Sequence, residues 1–155
     1  MFEIIAFVAI VAADQLVKLW AGASLAAVGS MPFIPGVINL TYAENTGAAF
    51  SMLSGNRIFL IAIPILVCLA VVYLLVSKRV SQPLLRWTFI FILAGAVGNL
   101  IDRIIHGYVV DMFEITLFKF AIFNVADIFV TAGAVMLFVY ILFFSRDASG
   151  EPHAD

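Results

Sequence analysis

The sequence predicts a mainly α-helical membrane protein: four transmembrane helices and a small β element on one membrane face. Three observations predict it. Apolar residues make up 65% of the 155-residue chain and charged residues 12%, with a mean hydropathy of +1.16. A water-soluble domain cannot hide that much apolar surface, because its outer shell must be polar. Four stretches, about 2–20, 58–76, 84–105 and 124–144, reach the roughly 20 residues that cross a hydrocarbon core. The polar residues in and near those stretches gather at one end of each.

The first stretch resembles a secretion signal in position only. Glu3 alone precedes its apolar part, and Asp14 and Lys18 interrupt it, so it is read as a retained span. Asp14 and Lys18 stand at i and i+4, the spacing of a helical ion pair. Asp14→Ala would leave Lys18 unpaired in a poorly solvating region, so the double change Asp14→Ala with Lys18→Ala is expected to be milder than Asp14→Ala alone.

The segment 21–57 follows. Ile38, Leu40 and Tyr42 alternate with Asn39 and Thr41, which predicts a half-exposed strand. Pro32, Pro35 and Gly36 mark turns before it. Glu44 and Asn45 close the strand. The second stretch carries Cys68, the single cysteine, whose default role is packing.

The turn 77–86, "SKRVSQPLLR", holds Lys78, Arg79 and Arg86. The positive-inside rule makes it cytoplasmic, and four spans then place both termini there. Residues 146–155 read as a polar cytoplasmic tail after a single domain over 1–145.

The third stretch ends in Asn99, Asp102 and Arg103, which share a helix face with Gly95. In the plain structural reading Arg103 neutralises Asp102 and locks the span to its neighbours. In "FEITLFKFAIF", residues 113–123, a second strand is expected. Asp111 precedes it and reads as a loop or turn residue after Gly107. The fourth stretch opens with Asn124 and Asp127, spaced as in a capping box.

All these polar groups fall at one depth. Charges inside a bilayer are costly and face a protein interior, so one buried polar site near the outer face is expected. Two carboxylates close together hold one proton between them. One then takes a proton from water while the other donates, which suits peptide hydrolysis. Asp111 and Asp127 are the candidate pair. Asp127 lies where a helix N-terminus favours negative charge, so Asp111 is expected to hold the proton. His106 and His153 are the only histidines, and no metal-binding pattern or G-x-S-x-G occurs; neither metal nor cofactor is expected.

Five pieces, in order, give the chain its resemblance: "DQLVK" (14–18), "AENTGAAFS" (43–51), "GNLIDR" (98–103), "GYVVDMF" (107–113) and "FNVADIFV" (123–130). Together they resemble the lipoprotein signal peptidase, or signal peptidase II, family over nearly the whole chain. One departure is Met112, where the family more commonly carries Phe. The resemblance implies an intramembrane aspartyl endopeptidase of the bacterial inner membrane, with its active site near the periplasmic face. Such enzymes cut diacylglyceryl-modified prolipoproteins just before the lipidated cysteine. It implies Asp111 and Asp127 as the catalytic pair. Asp14, Lys18, Asn45, Gly47, Asn99, Asp102, Arg103 and Asn124 are implied as substrate-binding or supporting residues. Membrane lipid and globomycin-type lipopeptide inhibitors are implied as partners.

Two other classes compete. A proton-coupled transporter would also bury Asp14, Asp102 and Asp127, but needs a polar path across the membrane. The inner halves of the second and fourth spans carry no charged residue. A structural subunit with ion pairs as helix glue would tolerate Asp111→Asn.

Overall fold

A helix buried in lipid must satisfy its backbone internally and offer lipid an apolar surface. Four segments of this chain do both. In the computed structural model, which describes residues 1–47 and 56–144, they are α1 (Phe2–Ser24), α2 (Arg57–Val76), α3 (Pro83–Ile105) and α4 (Val125–Phe143). They hold 23, 20, 23 and 19 residues and are apolar enough to cross a membrane. At 1.5 Å per residue they span about 28–35 Å, the thickness of a hydrocarbon core. Each lies within a few residues of its expected stretch. Residues 146–155 lie outside the described residues, as does part of the "AENTGAAFS" piece.

The bundle is organised on α3, which packs against α1, α2 and α4. Small residues let α3 and α4 approach. A Cβ on Gly95 would strike Ala126 O and Val130, and one on Gly133 would lie 2.6 Å from Ile92 Cγ1. This is the close packing that membrane helices use in place of a hydrophobic driving force. On α2 only Leu60 and Val71 are buried, so most of its apolar surface is left for lipid.

Three strands form one antiparallel sheet in the order β1 (Ser30–Ile34), β2 (Ile38–Asn45), β3 (Val109–Ile115). The β2 strand is the one expected from alternation. Two expectations are corrected. Pro32 lies within β1 rather than in a turn; an edge strand tolerates proline because one row of its N–H groups needs no ladder partner. The strand expected at 113–123 is displaced towards the N-terminus. Val110 and Met112 point into a core with Ala21, Leu25 and Leu40, which draws Val109–Ile115 onto β2. Beyond it, only Phe123 returns to pair with Phe113. Gly107, at φ +86°, takes the left-handed conformation that turns the chain from α3 into β3.

At the far end of the bundle from the sheet, Arg86 grips Glu3 through two hydrogen bonds of 2.6 Å each. The same guanidinium donates to Val80 O at 3.0 Å. Arg86 therefore belongs to an ion pair; Lys78 and Arg79 have no ion-pair partner among the described residues, and Arg79 lies over the Tyr73 ring.

Candidate active site

The N-terminus of α4 is closed by a capping box. Asn124 Oδ1 accepts from Asp127 N at 2.9 Å, and Asp127 Oδ2 accepts from Asn124 N at 3.2 Å. The cap does more than end a helix. Asn124 is fully buried, and its Nδ2 donates to Asp111 Oδ1 at 2.6 Å and to Asn99 Oδ1 at 3.0 Å. One amide thus joins the two candidate aspartates.

Asp111 is on β3, opposite Ala43 of β2, and only 2% exposed. The loop position expected for it is wrong. Its neighbours Val110 and Met112 enter the core on the other face of the strand, and this alternation fixes Asp111 towards α4. Asn45 Nδ2 donates to its Oδ2 at 3.0 Å. Asp127 Oδ1 accepts from Asn99 Nδ2 at 2.7 Å. Three asparagines therefore hold both carboxyl groups. Burial pushes the Asp111 carboxyl up to about 6; the Asn45 hydrogen bond opposes the rise and the Asp127 charge adds to it.

A second layer sets the position of these elements. Lys18 Nζ lies 2.9 Å from Asp14 Oδ2 and 3.1 Å from Asp102 Oδ2, and donates to Asn99 Oδ1 at 2.9 Å. Asp14 Oδ1 accepts from Ala126 N at 2.8 Å, which anchors the first turn of α4. Asp102 Oδ2 accepts from Val110 N at 3.1 Å, which anchors β3 beside Asp111. Asp14 passes close to α3 where Gly98 lacks a side chain; a Cβ there would lie 2.6 Å from Asp14 Oδ2.

The expected pairing of Arg103 with Asp102 is not found. Lys18 takes Asp102, and Arg103 turns to the cavity, where its Nη2 donates to Gly47 O at 2.9 Å. Its Nε is buried and has no hydrogen-bond partner among the described residues. Gly47 is held in turn by its own N–H to Asn45 Oδ1 at 3.0 Å. Sequence reasoning did not single out Gln15. Its Nε2 contacts Asp14 Oδ2, Gly98 O and Asp102 Oδ1 at 3.0–3.2 Å. A polar amide inside an apolar span was the available signal.

Asn45, Asn99, Arg103, Asp111 and Asp127 line one end of a cavity of about 490 Å³. Ile115, Phe120, Ile122, Phe123, Ile128 and Val130 make its apolar walls. A polar dyad and an apolar wall thus share one chamber at the end of a four-span bundle.

The family described as signal peptidase (SPase) II matches residues 6–143. The chain belongs to the signal peptidase II family. It is accordingly a protease, and its four spans make it a multi-pass membrane protein. Among its relatives, the lipoprotein signal peptidase of Streptococcus thermophilus is 39% identical over 149 residues, covering 96% of this chain and 95% of the relative. That of Clostridioides difficile is 40% identical over 144 residues, covering 93% and 97%. A solved structure described as a bacterial membrane enzyme superposes with a TM-score of 0.87 at 31% identity, over 99% of this chain and 93% of that one. A second, described alike, gives 0.84 at 31% identity over 92% and 94%. At 99% coverage the superposition takes in the small sheet as well as the four spans.

Proposed function

We propose that this chain removes the signal peptide from diacylglyceryl-modified bacterial prolipoproteins, cutting before the lipidated cysteine, and that Asp111 and Asp127 are its catalytic pair. The observation that carries the reading is Asn124, whose side chain donates to the Asp111 carboxyl and whose main-chain N–H donates to the Asp127 carboxyl, so that one residue holds two carboxyl groups from separate elements at the wall of one cavity. Four carboxylates, Asp14, Asp102, Asp111 and Asp127, meet two cations, Lys18 and Arg103, in this region. That imbalance favours one proton retained on the dyad. Asp127 sits in the first turn of α4, where the helix N-terminus favours negative charge, so Asp111, on a strand without that help, is the group that holds it.

The chemistry follows from that proton. Asp127, ionised, takes a proton from a water as the water attacks the scissile carbonyl carbon. Asp111 donates its proton to the carbonyl oxygen, giving a neutral tetrahedral diol. The pair has exchanged roles, so Asp127 protonates the leaving amine while Asp111 takes back a hydroxyl proton, and the C–N bond breaks. Asn45, Asn99 and Asn124 hold the carboxyl groups in place for both steps. Arg103, whose buried Nε has no partner among the described residues, binds the substrate main chain; Gly47 fixes Arg103. Asp14, Lys18 and Asp102 act at one remove, by holding α4 and β3. The apolar wall receives the lipidated cysteine, where each buried CH₂ contributes about 0.8 kcal/mol. Lipopeptide inhibitors of the globomycin type fit the same chamber.

In this reading the chain is one membrane-embedded peptidase domain over 1–145. Both termini and the Lys78–Arg79 turn face the cytoplasm, and the dyad lies near the periplasmic face of the inner membrane. The transporter reading is not favoured: the family is a peptidase family, and the inner halves of α2 and α4 carry no charged side chain.

Cleavage of a lipidated precursor by purified Asp111→Asn tests the proposal. A fall of at least about 10²–10⁴-fold in turnover, the usual scale for losing a general acid or base, is expected. A folded Asp111→Asn protein that cleaves at the wild-type rate refutes it.

A further inference from the structure

The loop 116–122, between β3 and α4, belongs to none of the four spans, yet its tip is apolar. Leu117 is 65% exposed, Phe118 59% and Phe120 45%. Lys119, also exposed, is the one charged residue among them. Water-facing loops rarely present three large apolar side chains together. Aromatic rings around a lysine that can reach back to the headgroups are the composition of a membrane–water boundary.

The loop is also continuous with a surface already turned to lipid. Phe120 and Ile122 line the same cavity as Ile128, and Ile128 is an exposed residue in the first turn of the α4 span. The loop is tied to the dyad as well. Phe118 meets Phe120 edge-on at 6.1 Å, Phe120 meets Phe123 at 6.1 Å, and Phe123 meets Phe113 at 5.7 Å. Main-chain bonds lock the base: Phe113 N to Phe123 O at 2.8 Å, Phe123 N to Phe113 O at 3.1 Å and Met112 N to Phe123 O at 3.0 Å. Phe113 lies two residues from Asp111, and Phe123 precedes Asn124.

We propose that loop 116–122 inserts into the phospholipid leaflet on the sheet side of the protein, and that its aromatic chain sets the depth at which Asp111 is held. Phe120 and Ile128, both exposed and both lining the cavity, then border hydrocarbon on that side. The insertion itself rests on the multi-pass membrane fold and not on the catalytic reading of the dyad.

The test is a depth measurement that needs no activity. The full chain carrying Trp20→Phe, Trp87→Phe and Phe118→Trp is placed in vesicles of phosphatidylglycerol and phosphatidylethanolamine. The indole at 118 should emit at shorter wavelength than in water. Phospholipid brominated near the headgroup end of its chains should quench it strongly, and aqueous acrylamide weakly. Leu117→Trp in the same background repeats the measurement from the neighbouring position. Dominant acrylamide quenching at both positions would place the loop in water and overturn the proposal. Resistance to both quenchers would mean that protein covers the loop, and would overturn it equally.

Discussion

Replacing Lys18 by methionine removes the one cation within ion-pair distance of both Asp14 and Asp102 among the described residues. Both acids are at most 2% exposed, so water cannot take over. Deleting one partner of a buried pair costs about 3–5 kcal/mol, because the other charge is left uncompensated. The N–H···O contact to Asn99 is lost too. At roughly 2–4 °C per kcal/mol, the melting temperature should fall by about 6–20 °C. Asp14→Asn should cost far less, since Lys18 keeps Asp102 and the new amide oxygen can still accept from Ala126 N. The isolated-pair expectation is revised accordingly. Asp14→Ala with Lys18→Ala leaves Asp102 unbalanced, so the double change should be worse than Asp14→Ala alone. Adding Asp14→Asn and Asp102→Asn to Lys18→Met removes the stranded charges and should recover part of the loss. Thermal unfolding of detergent-purified protein, followed by Trp20 and Trp87 fluorescence, reads the whole series. A Lys18→Met protein that melts with the wild type, or below which Asp14→Asn falls, would refute the shared-cation account.

The pH dependence should report Asp111. Its proton is needed for the first step, so kcat/KM should fall as pH rises above about 6; Asn45→Ala, which removes a bond that lowers this carboxyl, should move that limb to higher pH. The sign for stability is the same: protonated in both states below about pH 4, Asp111 must be ionised in a buried site above about 6. Its contribution is therefore present at low pH and lost as pH rises through 6, and Asp111→Asn should flatten that fall in melting temperature. Incubation with EDTA should leave precursor cleavage intact, and loss restored by zinc would replace the aspartyl mechanism with a metal one. With Cys68 replaced, a cysteine at Glu44 should react with an impermeant thiol reagent outside intact spheroplasts and one at Lys78 should not; the reverse pattern would invert the orientation.

Much of this was legible because lipid is a simple solvent. Long apolar runs have few alternatives to helix, so the four spans stand out, and the polar residues that break them point to a common site. The capping box of Asn124 and Asp127 is local and could be read from three residues. Asp111 could not. Its strand exists only by pairing with β2, where Ala43 stands opposite it across a long separation in sequence, and by burying Val110 and Met112 against Ala21 and Leu25. The same holds for Arg103 and Asp102, adjacent on α3. Whether Asp102 meets Arg103 or Lys18 depends on how α1 is rotated against α3, and i, i+4 spacing within one helix carries no such information. Gln15 is not legible in the sequence because glutamine suggests no chemistry by itself; its role appears only where three acceptors converge.

The arrangement around Lys18 also bears on how the protein is made. Helix α1 leaves the ribosome before α3, which carries Asn99 and Asp102, and meets the membrane ahead of it. A lone charge there would cost a few kcal/mol during insertion. Asp14 and Lys18 stand 2.9 Å apart on the same helix, so α1 travels as an internally neutralised segment. When α3 arrives, Lys18 needs only to extend its contacts to Asp102 and Asn99, and Asp14 becomes free to accept from Ala126 as α4 docks. One lysine thus serves first as an escort for its own helix and later as the junction at which helices synthesised afterwards assemble.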